Sequence, residues 1–360
     1  MKRVPGGVLV AVALTTAACS GSSAAPTTTT PTTSTTLAAA TTTTTTTATT
    51  VATTTTTAAP KPAMPFRGTP TADETARNRP AIVVKIDNSN AVGVRPQLGL
   101  ERADIVFEEI VEGITRFAAV FHSDVPEQVG PVRSARTSDV DIVGQLSRPI
   151  MAWSGGNNGV TAAMSRANIH DAGRETGPRD ITNAVYYRVN DRVEPHNLFV
   201  NTAEMYPIVT APQPLPSPVF TYRPVGASAT GGSAPPKGVS VKLESTQVEW
   251  SWTGTAWARS AYGVEHLDTN KRQITTENVV VLVTNYRSSP ADPRSPEAVT
   301  VGQGDAFVLT GGRYIVGRWK RAAAAQPAVL TDESGKAIDL TPGRTWVELP
   351  RSSDNVNVIE

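Results

Sequence analysis

Apolar positions fall into three regimes along the chain. The first is one short block, Val8 to Leu14, preceded by Lys2 and Arg3 and flanked by small residues. A block of that length cannot cross a bilayer as a stable helix, and with its cationic start it predicts a secretory signal over 1–18. The second regime runs to about residue 66 and is filled by Thr, Ala, Ser and Pro, with no apolar periodicity and almost no charge. Such a chain cannot bury enough surface to offset its ordering entropy, so 19–66 is expected to be a disordered tether. Extended at about 3.1 Å per residue it would reach on the order of 100 Å, enough to cross a wall. Threonine this dense fits a glycosylated stalk and a bare spacer equally well.

The third regime has strand and helix patterning. Ala81 to Ile86 is an apolar run ending in Asp87-Asn88, which predicts a buried strand with polar residues at its carboxyl end. Asp104 to Ile110 and Ile114 to Phe121 predict two more strands joined by a tight turn at Glu112-Gly113. Ser138-Asp139-Val140-Asp141 has the form of a capping box, opening a helix to about Leu146. Pro149 to Trp153 is strand-like, and Gly155 to Gly159 turns into a helix through about Ala167. Between Ala211 and Gly238 the chain becomes Pro-, Gly- and Ser-rich, which marks 216–238 as a linker. Beyond it, Val239 to Trp252, Asn278 to Val283, Ala306 to Leu309, Tyr314 to Trp319 and Thr345 to Leu349 are strand-like. The expected fold class is α+β or α/β: a layered sheet-and-helix domain over 67–215 and a smaller, mostly β domain over 239–360.

Charge and cysteine content narrow the setting. The formal net charge is +1, and loss of Lys2 and Arg3 with the signal brings it to about −1, which argues against a nucleic-acid partner. Cys19 is the single cysteine and follows Thr16-Ala17-Ala18, the small-residue approach that precedes lipidation in bacterial lipoproteins. No intramolecular disulfide can form, and a free thiol in an oxidising compartment is a liability that a lipid would cap. Cys19 is therefore the expected anchor, palmitate among its acyl groups, placing the body on the extracytoplasmic face of the cell membrane. Ordinary cleavage leaving a free thiol is the alternative.

Several consecutive stretches resemble the YerB-like bacterial lipoprotein family. They are Arg79 to Asn88, Arg95-Pro96-Gln97, Ala103 to Glu108, Val111 to Phe117, Gly130 to Arg136 and Pro195 to Leu198, followed by Asn278 to Val281, Gly317 to Lys320 and Leu340 to Trp346. The resemblance covers nearly all of the chain beyond the tether. It implies a lipoprotein with an N-terminal α/β domain and a β-rich C-terminal domain, and it brings no assigned activity.

The residues themselves point to one candidate site. Arg133 and Arg136 lie just before the expected helix start at Ser138, where free backbone N–H groups favour an anion. With Arg95 and Arg116 they could grip a carboxylate or phosphate bidentately, in a cleft also lined by Asp87, Asn88, Glu108, Glu112, Ser134, Asp139, His196 and Asn197. The opposed reading uses the same residues as an internal network, Asp87, Glu108, Glu112 and Asp139 neutralising the arginines. Arginine excess over lysine suits either reading and also follows from genome composition alone.

Catalytic motifs are weak. Ser134 lacks the G-x-S-x-G elbow, H-E-x-x-H is missing, and the Gly155 to Gly159 turn lacks G-K-[ST] and G-x-G-x-x-G, so no metal or cofactor is implied. Glu108, Glu109 and Glu112 could supply paired carboxylates, although neighbours on a strand face opposite ways. The tryptophans Trp250, Trp252, Trp257, Trp319 and Trp346 could stack on sugar but are spaced as core residues. The favoured expectation is a non-catalytic binding or scaffolding lipoprotein for an anionic cell-wall polymer or envelope protein. The alternative is a cell-wall glycan or peptide hydrolase or transferase using Glu112 and His196.

Overall fold

The computed structural model describes residues 62–235 and 237–360. The expected signal, Cys19 and nearly all of the expected tether lie outside them. Strand dominates, and no helix among the described residues exceeds seven residues.

A ten-stranded sheet forms the centre. In chain order its strands are β1 (Ile82–Asp87), β2 (Ile105–Ile110), β3 (Thr115–Phe121), β4 (Ile150–Ala152), β5 (His170–Asp171), β6 (Asn278–Leu282), β7 (Gly302–Thr310), β8 (Arg313–Arg321), β9 (Val329–Asp332) and β10 (Thr345–Glu348). Their order across the sheet is β9-β8-β7-β6-β10-β2-β3-β1-β4-β5. β10 pairs in parallel with both β6 and β2, so strands from both sides of the Pro-rich segment share one continuous sheet.

Both faces of this sheet are covered, which is why its middle strands are apolar without alternation. β1, β2 and β3 are buried at every position. On one face Val84, Ile86, Val106, Phe117 and Trp346 pack against Val241, Val248, Trp250 and Trp257 of a second, antiparallel sheet. That sheet centres on Gly238–Leu243, Thr246–Trp252 and Trp257–Ala261. On the other face Val83, Ile105, Phe107, Ala118 and Val120 pack against Ile142, Val143, Val160 and Met164 of two short helices.

Hairpin β2–β3 turns where expected: the Val111 N–H donates to the Ile114 carbonyl at 2.8 Å, and Gly113 supplies φ 76°. Two local expectations are corrected, and one strand was not anticipated. Val239 to Trp252 is two strands, because Glu244 adopts φ 56° and reverses the chain. The helix Ser138–Gly144 ends before Leu146, and Ser138 does not cap it; its hydroxyl accepts instead from the Ala298 N–H at 2.9 Å. The strand Asp292–Ala298, with two prolines, pairs only with Tyr286–Ser289, a position where missing N–H groups cost little.

Packing also reaches into the segments that composition marks as tether and linker. Met64 and Phe66 are buried, as are Val219 and Phe220. The Tyr222 hydroxyl donates to the Phe66 carbonyl at 2.8 Å, and Gly68 lies so close that a Cβ there would sit 2.3 Å from the Tyr222 ring. Trp250, Trp257, Trp319 and Trp346 are core, which removes them from any sugar-stacking face.

Candidate functional site

The period of two along a strand divides the candidate side chains between the two faces of the central sheet. Glu108 and Glu109 are chain neighbours and point to opposite sides. On the face toward the second sheet, Glu108 accepts from Arg259 at 2.7 Å, Trp346 Nε1 at 3.2 Å, Thr115 at 2.7 Å and Asn88 Nδ2 at 2.9 Å. Glu348 lies beside it and takes the Trp250 Nε1 proton at 3.0 Å. Burial, then the charge of Glu108, pushes the Glu348 carboxyl well above the usual range, so one carboxyl stays protonated while Arg259 balances the other. Arg95 stacks 4.7 Å over Tyr262 and donates to Asn88. These groups form a filled polar seam between two sheets. Asn88, Arg95 and Glu108 are thereby corrected from ligand site to structural network.

Asp139 belongs to a second buried network on the opposite face. Lys85 is fully buried, pairs with Glu109 and donates to Asp139 at 2.8 Å, while the Asp139 carboxylate also accepts the Arg136 N–H at 2.7 Å. Burial raises the Glu109 carboxyl, with Lys85 opposing. Asp139 is thus a structural brace. Asn197 also leaves the site: it accepts from Arg188 and donates to the Val189 carbonyl at 3.3 Å, bracing its own loop.

The remaining candidates converge on that same face. Asp87, 1 % exposed, stands at the end of β1 and receives two partners on Oδ2: His196 Nδ1 at 2.8 Å and Arg133 Nε at 3.1 Å. Burial pushes the Asp87 carboxyl up, but the Ser89 N–H, Arg133 and His196 outweigh it and leave the group below its ordinary value. Glu112, in the β2–β3 turn, is gripped by Arg136 through two nitrogens and by the Ser295 hydroxyl at 2.5 Å. Burial opposes, yet these bonds lower the Glu112 carboxyl to about 2.

Arg116 differs from its neighbours. It projects from β3 and is 5 % exposed; its guanidinium donates to the Ser134 carbonyl at 3.0 Å, and its Nε finds no partner. It forms no ion pair among the described residues. Burial first, then Arg136 and Arg133, lowers its pKa to about 10, so it stays charged near neutral pH. Arg133 pairs with Asp87 and Arg136 with Glu112, whereas Arg116 has no carboxylate partner among the described residues. In front of Ser134 and Arg136 opens a cleft of about 470 Å³ that Asn157, Arg294 and Ser295 also line.

The catalytic expectations fare unevenly. Ser134 has no histidine bonded to its hydroxyl among the described contacts, and a Cβ on Gly155 would meet that hydroxyl at 2.5 Å. Glu112, ionised down to about 2 and saturated by Arg136, is a poor proton donor near neutral pH. The Gly155 to Gly159 turn is filled by the protein's own groups: Glu175 accepts from the Gly155 N–H at 3.1 Å and Ser154 at 2.9 Å, and Asn157 caps the helix by accepting from Val160. His196 engages Asp87 through Nδ1, and its Nε2 makes none of the described hydrogen bonds. Residues missed by sequence reasoning include Lys85, Arg259, Asn157, Ser295 and Glu348. Lys85 carried a readable signal, a lysine inside an apolar strand; Arg259 and Glu348 carried none.

Comparisons with known proteins agree on family and fold. Residues 66–212 match the family described as protein of unknown function (DUF3048) N-terminal domain, and residues 239–347 match its C-terminal domain. The Bacillus subtilis (strain 168) protein named "Putative lipoprotein YerB" is 26 % identical over 320 residues, covering 83 % of this chain and 89 % of that one. The crystal structure of YerB protein from Bacillus subtilis superposes with a TM-score of 0.70 at 22 % identity, covering 83 % of this chain and all of the other.

Proposed function

Because the chain belongs to the DUF3048 family, whose two domains of unknown function it carries in order, we propose from the site geometry that it is a lipid-anchored module binding an anionic envelope ligand. One observation carries this reading. Arg116 is an almost fully buried cation without a carboxylate, held beside two further guanidiniums. Burying an unpaired charge costs several kcal/mol, a debt that a bound anion would offset. In the cluster of Arg116, Arg133, Arg136, Asp87 and Glu112, three guanidiniums face two carboxylates, which leaves one positive charge uncompensated behind the cleft that Glu112 and Arg136 line. A cell-wall polymer or an acidic envelope protein fits that charge.

Anchoring rests on Cys19, on the relative named as a lipoprotein, and on the polar tether that would hold the body away from the bilayer. No helix among the described residues is long and apolar enough to cross a membrane. Mass spectrometry of the mature amino terminus tests it: a diacylated or triacylated cysteine is expected, and an unmodified residue or a later start removes the anchor. The site is tested by binding of the full chain to cell-wall fragments, with and without Arg133→Ala combined with Arg136→Ala. Loss of binding is expected, falling also with added salt, and intact binding in the double variant removes the site.

A further inference from the structure

We infer that the Asp87–His196 pair is a general base beside this anion site, and that the site hydrolyses a phosphodiester. The inference rests on the anion-binding reading and goes beyond it by assigning a reaction. The Asp87 carboxylate accepts from His196 Nδ1 at 2.8 Å, which places a ring proton on Nδ1 and leaves Nε2 as the nitrogen whose lone pair can take a proton. Nε2 makes none of the described hydrogen bonds, and the His196 side chain keeps 15 % exposure, so it is open to a substrate or a water. A base oriented by a buried carboxylate, with its second nitrogen free, is the arrangement that proton abstraction requires.

The oxyanion partner is in place. Arg133 Nε lies 3.1 Å from the same Asp87 oxygen that His196 engages, which makes the guanidinium and the imidazole immediate neighbours. Arg133 is partly exposed, and its terminal nitrogens take part in none of the described hydrogen bonds. Arg116, the second residue of β3, adds a second cation, one that forms no ion pair among the described residues and whose Nε is unpartnered. The single uncompensated charge of the cluster matches a monoanion. A carboxylate would satisfy the charge but offers no bond to break, whereas a phosphodiester is both the gripped anion and the electrophile.

In the reaction a water attacks phosphorus while His196 Nε2 takes its proton. The new phosphorus–oxygen bond forms as the bond to one alcohol breaks on the opposite side of phosphorus; the departing alkoxide takes a proton from solvent water, and the imidazolium gives its proton back to solvent. The products are a phosphomonoester and an alcohol, with no oxidant, reductant or metal in the balance. His196 is the catalytic residue; Asp87 is a positioning residue.

The test is hydrolysis of bis(p-nitrophenyl) phosphate by the full chain, with calorimetric binding of diethyl phosphate measured in parallel. Release of p-nitrophenol is expected, lowered about 10²- to 10⁴-fold by His196→Ala and restored in part by added imidazole. Asp87→Asn should lower kcat while diethyl phosphate binding is kept or tightened, because Arg133 loses its carboxylate partner, and Arg133→Ala should weaken diethyl phosphate binding about tenfold or more while Arg133→Lys retains part of it. Binding of diethyl phosphate without turnover, or equal turnover in His196→Ala, overturns the general base and leaves the anion site standing. Absence of both binding and turnover overturns the two together.

Discussion

Asp87 Oδ2 accepts from His196 Nδ1 at 2.8 Å across 109 residues of sequence. This bond joins the carboxyl end of β1 to the loop before Leu198, and it places a polar dyad where an apolar strand ends. Asp87 is also the charge partner of Arg133. Asp87→Ala would leave that guanidinium without its carboxylate, and a loss of about 3 kcal/mol or more is expected in urea unfolding at neutral pH. The Asp87 carboxyl is held below its ordinary value, so its contribution is present above that value and disappears as pH falls; the wild type and the variant should converge in strong acid.

Against the effect of burial, the Glu112 carboxyl is lowered to about 2 by its bonds to Arg136 and Ser295. The pair with Arg136 is partly solvated, with the Glu112 side chain 39 % exposed, so screening keeps its worth to about 1 kcal/mol or less. Glu112→Gln should therefore cost little stability above pH about 4.5, and the difference should vanish as acid protonates the wild-type carboxyl. The same change releases Arg136 and adds a positive charge to the cleft. Tighter anion binding, by calorimetry with diethyl phosphate, is the expected sign.

Glu348 behaves oppositely because burial and the nearby Glu108 charge raise its carboxyl well above the usual range. A raised carboxyl favours the fold while protonated and withdraws that support as pH climbs from the unfolded value toward the folded one. Glu348→Gln keeps a neutral polar group beside Trp250 and Glu108. It should raise Tm relative to wild type at pH 8 more than at pH 5, and an equal shift at both pH values would contradict the shared proton.

Phe66 ties the start of the described chain into the core. It is fully buried in the core that contains Val83, Ile105 and Val120, and it accepts the Tyr222 hydroxyl through its carbonyl. Phe66→Ala should cost about 3–5 kcal/mol, seen as a lowered urea midpoint with an unchanged slope. Gly68→Ala should also destabilise, since its φ of 64° and the 2.3 Å approach to Tyr222 leave no space for a Cβ.

Local chemistry made part of the fold readable. The runs at Ile82, Ile105 and Thr115 are β-branched and aromatic, bounded by turn residues, and they are strands in the structure. The hairpin at Glu112-Gly113 follows from a glycine with positive φ. Asp292–Ala298 was not readable, because prolines argue against a strand and only an isolated two-stranded pairing accommodates them. Ser138 was misread because a capping sequence can find a better partner elsewhere, here the Ala298 N–H some 160 residues away.

The candidate site was legible as a set of charged residues and illegible as an arrangement. Sequence by itself determined which segments are apolar, which are rich in Thr, Ala and Pro, and that arginines and carboxylates crowd the ends of the first strands. Tertiary structure alone decided that Glu108, Asn88 and Arg95 lie on one side of the central sheet and Arg116, Arg133, Asp87 and His196 on the other. It alone decided that Glu112 and Asp87 each find an arginine while Arg116 finds none. The physical reason is that charge pairing acts over a few ångströms in space, and strand parity together with long-range pairing, not order along the chain, sets which charges come that close.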